Sequence, residues 1–223
     1  ERIIALNDEA GFQPELMRGG IHFLPRYIYK VHIIPLVTIS QGQVGYVFAR
    51  DGMPLEPIQT LAKVVSECNK FQNVRAFLEK GGQKGQQREM LREGTYAINL
   101  TQFIVFTANQ VYYLPLDNNK EEINTVNNMK ENILERYKSK GLTIGGELKA
   151  GLATSSGTER AAFTPVVIKG SDDKIGIVTT HDGKSLSNGH IIAPIVGENS
   201  DIAETYHNNF QDIEKFLKTG GYR

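Results

Sequence analysis

The sequence predicts an α+β fold made of two related, mainly antiparallel β modules with short helices, joined by a longer helix. Three internal correspondences carry that expectation. QVGYVFARDGMPL (residues 43–55) returns as KIGIVTTHDGKSL (174–186), keeping Gly45/Gly176, Val47/Val178, Asp51/Asp182, Gly52/Gly183 and Leu55/Leu186. FQNVRAFLEKGGQK (71–84) returns as FQDIEKFLKTGGYR (210–223) with both phenylalanines, the glutamine, the leucine and the paired glycines. GFQPELMRGGIHFLP (11–25) resembles GQQREMLREGTYAIN (85–99), sharing Gln13/Gln87, Glu15/Glu89 and Arg18/Arg92, so the chain's start matches a module's end.

The repeating unit therefore reads as a strand pair with a DG turn, a connecting segment, a short helix ending in GG and a closing pair of strands. On this division residues 1–117 hold the end of one repeat and a complete first module. Residues 118–162 form an amphipathic helix and a mobile linker, and 163–223 begin a second, truncated module. The chain is expected to be cut from something longer.

Each element has its own local reason. IHFLPRYIYKVHIIPLVTI (21–39) is the most apolar stretch, and Pro25, Arg26, Lys30 and Pro35 prevent it from spanning a bilayer. It reads as a long buried strand with a proline-set bend. The alternative is a surface resting on lipid headgroups or a partner through Tyr27, Tyr29 and Lys30. In VGYVFARDGM, apolar and β-branched residues lead into Asp51–Gly52, a pair suited to a two-residue turn that needs positive φ. Asp182–Gly183 repeats the device. Both aspartates could be catalytic or metal-binding carboxylates, but each is joined to the glycine that a turn demands.

In FQNVRAFLEKGG, Phe71, Val74, Phe77 and Leu78 follow helical spacing, with Asn73 as N-cap and Gly81 at the left-handed C′ position. Asp212 and Gly220 take those roles in the second copy. The apolar stripe belongs on the module's own sheet. GGQKGQQ (81–87) lacks the GKS or GKT of a phosphate cradle and reads as a helix stop followed by a turn. Ile123, Val126, Met129, Ile133, Leu134 and Tyr137 share one face of a helix from about Lys120 to Lys138. GLTIGGELKAGLATSSGTERAA (141–162) has no period and suits a linker.

Bulk composition narrows the function. Lys plus Arg equals Asp plus Glu at 25 each among 223 residues, so no net field draws a polyanion and nucleic acid is not an expected partner. Cys68 is the one cysteine, which leaves no intramolecular disulfide or thiolate cluster, and it reads as a small core residue. His22, His32, His181, His190 and His207 show no HExxH pattern, and no GxSxG or SxxK arrangement is present. No catalytic, cofactor-binding or metal residue is therefore assigned, and no cofactor is expected. A hydrolase using Asp51, or Asp182 with the adjacent His181, is disfavoured because neighbours on a strand point to opposite faces. The piece itself is expected to be soluble.

With those phrases in view, IPLVTISQGQVGYVFARDG, FQNVRAFLEKGGQKG and LREGTYAINLTQF resemble repeated segments of the SPFH, or band 7, superfamily of stomatin, prohibitin and flotillin. The resemblance is strongest to bacterial flotillin-like proteins with tandem β-rich repeats. FTPVVIKGSDDKIGIVTTHDGKSL and ETYHNNFQDIEKFLKTGG extend it through the second copy. It implies a non-enzymatic scaffold, membrane-associated in its full-length form, that organises membrane microdomains. The implied partners are membrane lipids, client membrane proteins and further copies of itself, bound through regions outside this chain. A partner- or lipid-binding module using a sheet edge or residues 21–39 is the alternative. Residues 141–162 depart from the pattern, being longer and more polar than a compact connection.

Overall fold

The computed structural model describes residues 2–7, 9–57, 59–116, 120–139, 162–168, 170–172, 175–180, 182–186 and 189–221. Over these the fold is α+β, as expected. Strands β1 (Val37–Ile39), β2 (Tyr46–Ala49), β3 (Gly85–Gln86), β4 (Gly94–Tyr96), β5 (Phe103–Phe106) and β6 (Val111–Tyr112) form two antiparallel sheets. One pairs β1 with β4; the other runs β3-β2-β5-β6. Helices α1 (Val74–Glu79), α2 (Lys120–Ser139) and α3 (Ile213–Lys218) accompany them.

Strand alternation decides which core each side chain enters. In β5, Phe103 and Val105 join Val47, Ala49, Phe71, Phe77 and Leu91 on one face. Ile104 and Phe106 point the other way, to Val126, Ile133 and Leu134 of α2 and to Ala162 and Phe163. All four β5 residues are buried because both faces of the strand are covered, so FIVF is a continuous apolar run. Of the α2 stripe, Val126, Ile133 and Leu134 are buried with Met129 packed against them, Ile123 at the first turn is exposed, and the Tyr137 side chain falls outside the described residues.

Two expectations are corrected. The long buried strand over 21–39 shrinks to Val37–Ile39, where β1 finds Gly94–Tyr96 opposite it. Upstream, Ile21, Phe23, Tyr27, Tyr29 and Ile33 are exposed, and Pro25 O accepts the amides of Ile28 and Tyr29 in a turn. Apolar content cannot hold a strand that has no partner for its backbone. The DG hairpin does not form either, since β2 pairs with β3 and β5 and not with the segment that follows it. Gly52 does have positive φ, at 140°. The chain continues from it into a clasp with the end of α1: Met53 N donates to Gly82 O (2.8 Å) and Lys84 N to Met53 O (2.9 Å). A Cβ on Gly52 would lie 2.5 Å from Gly82 O, so the close approach selects glycine.

The helix is entered through a turn the sequence pattern hid. Asn69, Lys70 and Phe71 all have left-handed φ (49°, 55° and 64°), so Phe71 precedes α1 and is no part of it. Asn208, Asn209 and Phe210 repeat this before α3 (47°, 51° and 64°). Such backbone costs roughly 1–2 kcal/mol per residue, least for asparagine. In the first copy the buried Phe71 ring helps to hold it, whereas Phe210 is exposed, and one bond recurs in both: Asn73 N donates to Cys68 O and Asp212 N to His207 O. Cys68 Sγ accepts the Phe71 amide (3.4 Å), where His207 Nδ1 accepts that of Phe210 (2.9 Å). Burial pushes the Cys68 thiol up, which suits a packed, unreactive residue.

Candidate functional site

The most concentrated polar geometry among the described residues lies where one repeat meets the next. It occurs twice. At the first junction Ile3 N donates to Asp51 Oδ2 (3.0 Å), while Arg75 on α1 donates to Leu6 O (2.9 Å) and to Glu15 Oε1 (2.7 Å). At the second, Arg88 donates to Asp182 Oδ2 (2.8 Å) and, with Val64 N, to Glu214 Oε1 (2.5 and 3.0 Å).

The same positions act in both places. Asp51 and Asp182 are equivalent, as are Arg75 and Glu214, each the second residue of its helix. In the preceding tails, Ala5 N bonds Phe12 O as Ala62 N bonds Gln86 O, both at 2.9 Å, so the two tails share this backbone pairing. Each aspartate is aimed by its own glycine: Gly52 N donates to Asp51 Oδ1 (2.7 Å) and Gly183 N to Asp182 Oδ1 (3.1 Å), leaving Oδ2 for the neighbour. The DG pairs thus serve the clasp and the junction together.

The junctions differ in the sign of their charges. The first sets a tail carboxylate, Glu15, against a helix cation, Arg75; the second sets a tail cation, Arg88, against a helix carboxylate, Glu214. The Arg75 hydrogen bond holds Glu15 below its ordinary value. Arg88 is the more buried partner, its side chain 6% exposed, whereas Arg75 is 40% exposed. Charge-assisted bonds of this kind add geometric specificity to each junction as well as energy.

The remaining sequence-derived positions act locally. Asn73 accepts Ala76 N (3.0 Å) and Asp212 accepts Lys215 N (3.1 Å) at their helix starts. Gly81 and Gly220 take φ of 79° and 90° after the helix ends. Tyr27, Tyr29 and Lys30 are exposed. His181 and residues 140–161 of the proposed linker fall outside the described residues, so the His181–Asp182 pair has no geometry to weigh.

Arg50 is a further buried cation, one residue before the first clasp. Its Nη1 lies 3.0 Å from Glu122 Oε1 of α2, a close charge contact without the alignment of a hydrogen bond, and its guanidinium lies over Tyr113. Burial pulls its pKa down and Glu122 pulls it back. The pair ties α2 to β2. A cleft of about 230 Å³ runs between sheet and helix, lined by Val47, Phe48, Leu55, Met129 and Ile133 among others. Among the described residues no group of three or more His, Cys, Asp or Glu side chains is placed to hold a metal ion, and no helix is long and apolar enough to cross a membrane.

Arg75, Arg88 and Glu214 carry no local signature in the sequence. The ion-pair partners of Arg88 are 94 and 126 residues away, and the two copies place opposite charges at one helix position. Only the repeat alignment, read for what changes and not for what stays, singles that position out. Comparison with family models, with curated proteins and with solved structures finds no match to this chain.

Proposed function

We propose that this chain is part of a non-enzymatic, membrane-associated scaffold of the SPFH type, in which its β modules serve as stacking and spacing units. The observation that carries this reading is the repeated junction. One helix position and one aspartate receive the preceding repeat in both copies, and the contacts are complementary charges and backbone amides. Such a layout suits an array in which each repeat touches its neighbours, with stability contributed unit by unit. Oligomers, lipids and client membrane proteins are then the partners, and the modules hold them at fixed spacing.

Fractionation tests the proposal. Full-length protein carrying these repeats should float with membranes on a density gradient, and this chain alone should stay in the aqueous fraction. Full-length protein that remains aqueous would sink it. A turnover lost on Asp182→Asn, with the melting temperature unchanged, would instead require an enzymatic role.

A further inference from the structure

We propose that His207 is an acid-sensitive latch on the second repeat: protonating its ring opens the turn into α3 and releases Glu214 from Val64 and Arg88 of module one. The inference stands on hydrogen-bond geometry and is independent of the membrane reading.

His207 is 3% exposed, whereas His22, His32 and His190 lie on the surface. Its two ring nitrogens have opposite duties, and their partners fix which is which. Nε2 lies 2.8 Å from Val196 O, an oxygen that can only accept, so Nε2 carries the hydrogen. The Phe210 amide donates to Nδ1 at 2.9 Å, so Nδ1 must keep its lone pair. One neutral tautomer satisfies both bonds. The imidazolium satisfies only the first, because a proton on Nδ1 would face the N–H of Phe210.

Nothing in the surroundings favours the extra charge. Phe210 stacks on the ring at 4.7 Å, Phe216 of α3 meets it edge-on at 5.5 Å, and a Cβ on Gly197 would lie 3.0 Å from His207 Cδ2. The charged and titratable groups on those segments have other positions. Glu198, Asp201, Glu204 and Lys218 are exposed, and Tyr206 Oη donates to Asn208. Asp212 caps Lys215 N and lies 3.7 Å from Lys215 Nζ, while Glu214 accepts Val64 N and Arg88. The ring's own hydrogen bonds go to backbone atoms.

The Phe210 bond bears on a turn that depends on it. Asn208, Asn209 and Phe210 hold φ of 47°, 51° and 64°, a left-handed conformation unfavourable to L residues. Phe210 is 44% exposed, so its amide bond does more than burial to keep it there. That turn brings Asp212 N to His207 O (3.0 Å) at the entry to α3, two residues before Glu214. Losing the ring bond therefore reaches the second junction through one short stretch of chain.

The first repeat makes the same bond without the proton switch. Cys68 Sγ accepts Phe71 N at 3.4 Å, and burial pushes the thiol up, so the sulfur keeps one protonation state in mild acid. In the second repeat the closed turn excludes a proton that the open turn accepts. The latch holds above the range in which histidine titrates and weakens as pH falls through it, the closed-to-open ratio changing by about tenfold per pH unit for one proton.

Imidazole ¹⁵N spectra and amide exchange on this chain, from about pH 8 to about pH 5, test the latch. At the upper end His207 should show the Nε2–H tautomer. As the ring takes its proton, the Phe210 amide should shift. Protection of α3 and of the Val64 amide, corrected for intrinsic exchange, should then fall by about tenfold per pH unit while α1 holds steady. His207→Asn puts an oxygen where Nδ1 stands, as Asn73 Oδ1 accepts the amide three residues on, and His207→Cys copies the first repeat. Both variants should keep α3 protection level across the range. They retain Asp182, Asp212 and Glu214, so variants that loosen like the parent would assign the effect to those carboxylates and overturn the proposal. It is also overturned by the other tautomer, by a ring that takes no proton down to about pH 5, or by one that titrates while Phe210 and α3 do not respond. If neither variant protects α3 at the upper end, the parent's ring and amide titrations decide.

Discussion

The first module and the second half-module spend similar residues on different outcomes. Both have the left-handed turn, the capped helix, the glycine pressed on a phenylalanine ring and the DG clasp. In the first, these devices sit beside a four-stranded sheet with Val47, Phe77 and Phe103 fully buried. In the second, Val178, Ile175 and Ile177 lie open to solvent. The helical head of the repeat is therefore a local structure that forms from its own sequence, whereas its strands become a core only when a closing strand lies beside them.

The largest break in this comparison should come from Phe77→Ala. Phe77 meets Phe103 edge-on, lies tilted to Phe71 and seats Gly82, so its loss should cost about 3–5 kcal/mol and abolish the main cooperative transition in calorimetry. Phe216→Ala removes the matching ring from the open half and should cost only about 2 kcal/mol. Equal losses at the two sites would mean that the halves are equally closed in solution.

Next in size is Arg88→Ala, which strips two carboxylates of a buried partner. Because Asp182 and Glu214 retain some exposure, the cost should fall near the low end for a broken buried pair, about 3 kcal/mol. Amide exchange in α3 should accelerate while that of β5 holds steady. Unchanged protection in α3 would show that the junction does not bind the second half.

Smallest are the caps. Asn73→Ala and Asp212→Ala should each cost about 1 kcal/mol, the former lowering the main transition and the latter only loosening α3, as read from amide shifts. A global effect of Asp212→Ala would erase the distinction between the two regions.

How far these features were legible depended on whether their cause was local. The caps, the glycines after each helix and the α2 stripe follow from residues within one or two turns of each other, and the α+β class follows from them. The DG pairs were legible as positive-φ positions but not in their role, because Gly52 is required by the distant Gly82 carbonyl and not by a hairpin. Residues 21–33 misled for the same reason. Alternating apolar residues describe a strand's readiness to pair, and nothing in the segment states whether a partner is present. The junction was least legible, since Arg88 meets its carboxylates across a separation that no spacing rule spans.

Ala162 and Phe163 return to the sheet beside Ile133 and Leu134, with Tyr46 donating to Ala162 O (2.6 Å) and Val44 N to Phe163 O (2.7 Å). Both flanks of residues 140–161 are thereby moored to one surface. The Phe163 ring also meets Tyr46 edge-on at 5.3 Å, so this outer layer is fastened by a ring as well as by two backbone carbonyls and can be loosened without touching the Phe71, Phe77 and Phe103 cluster on the other face.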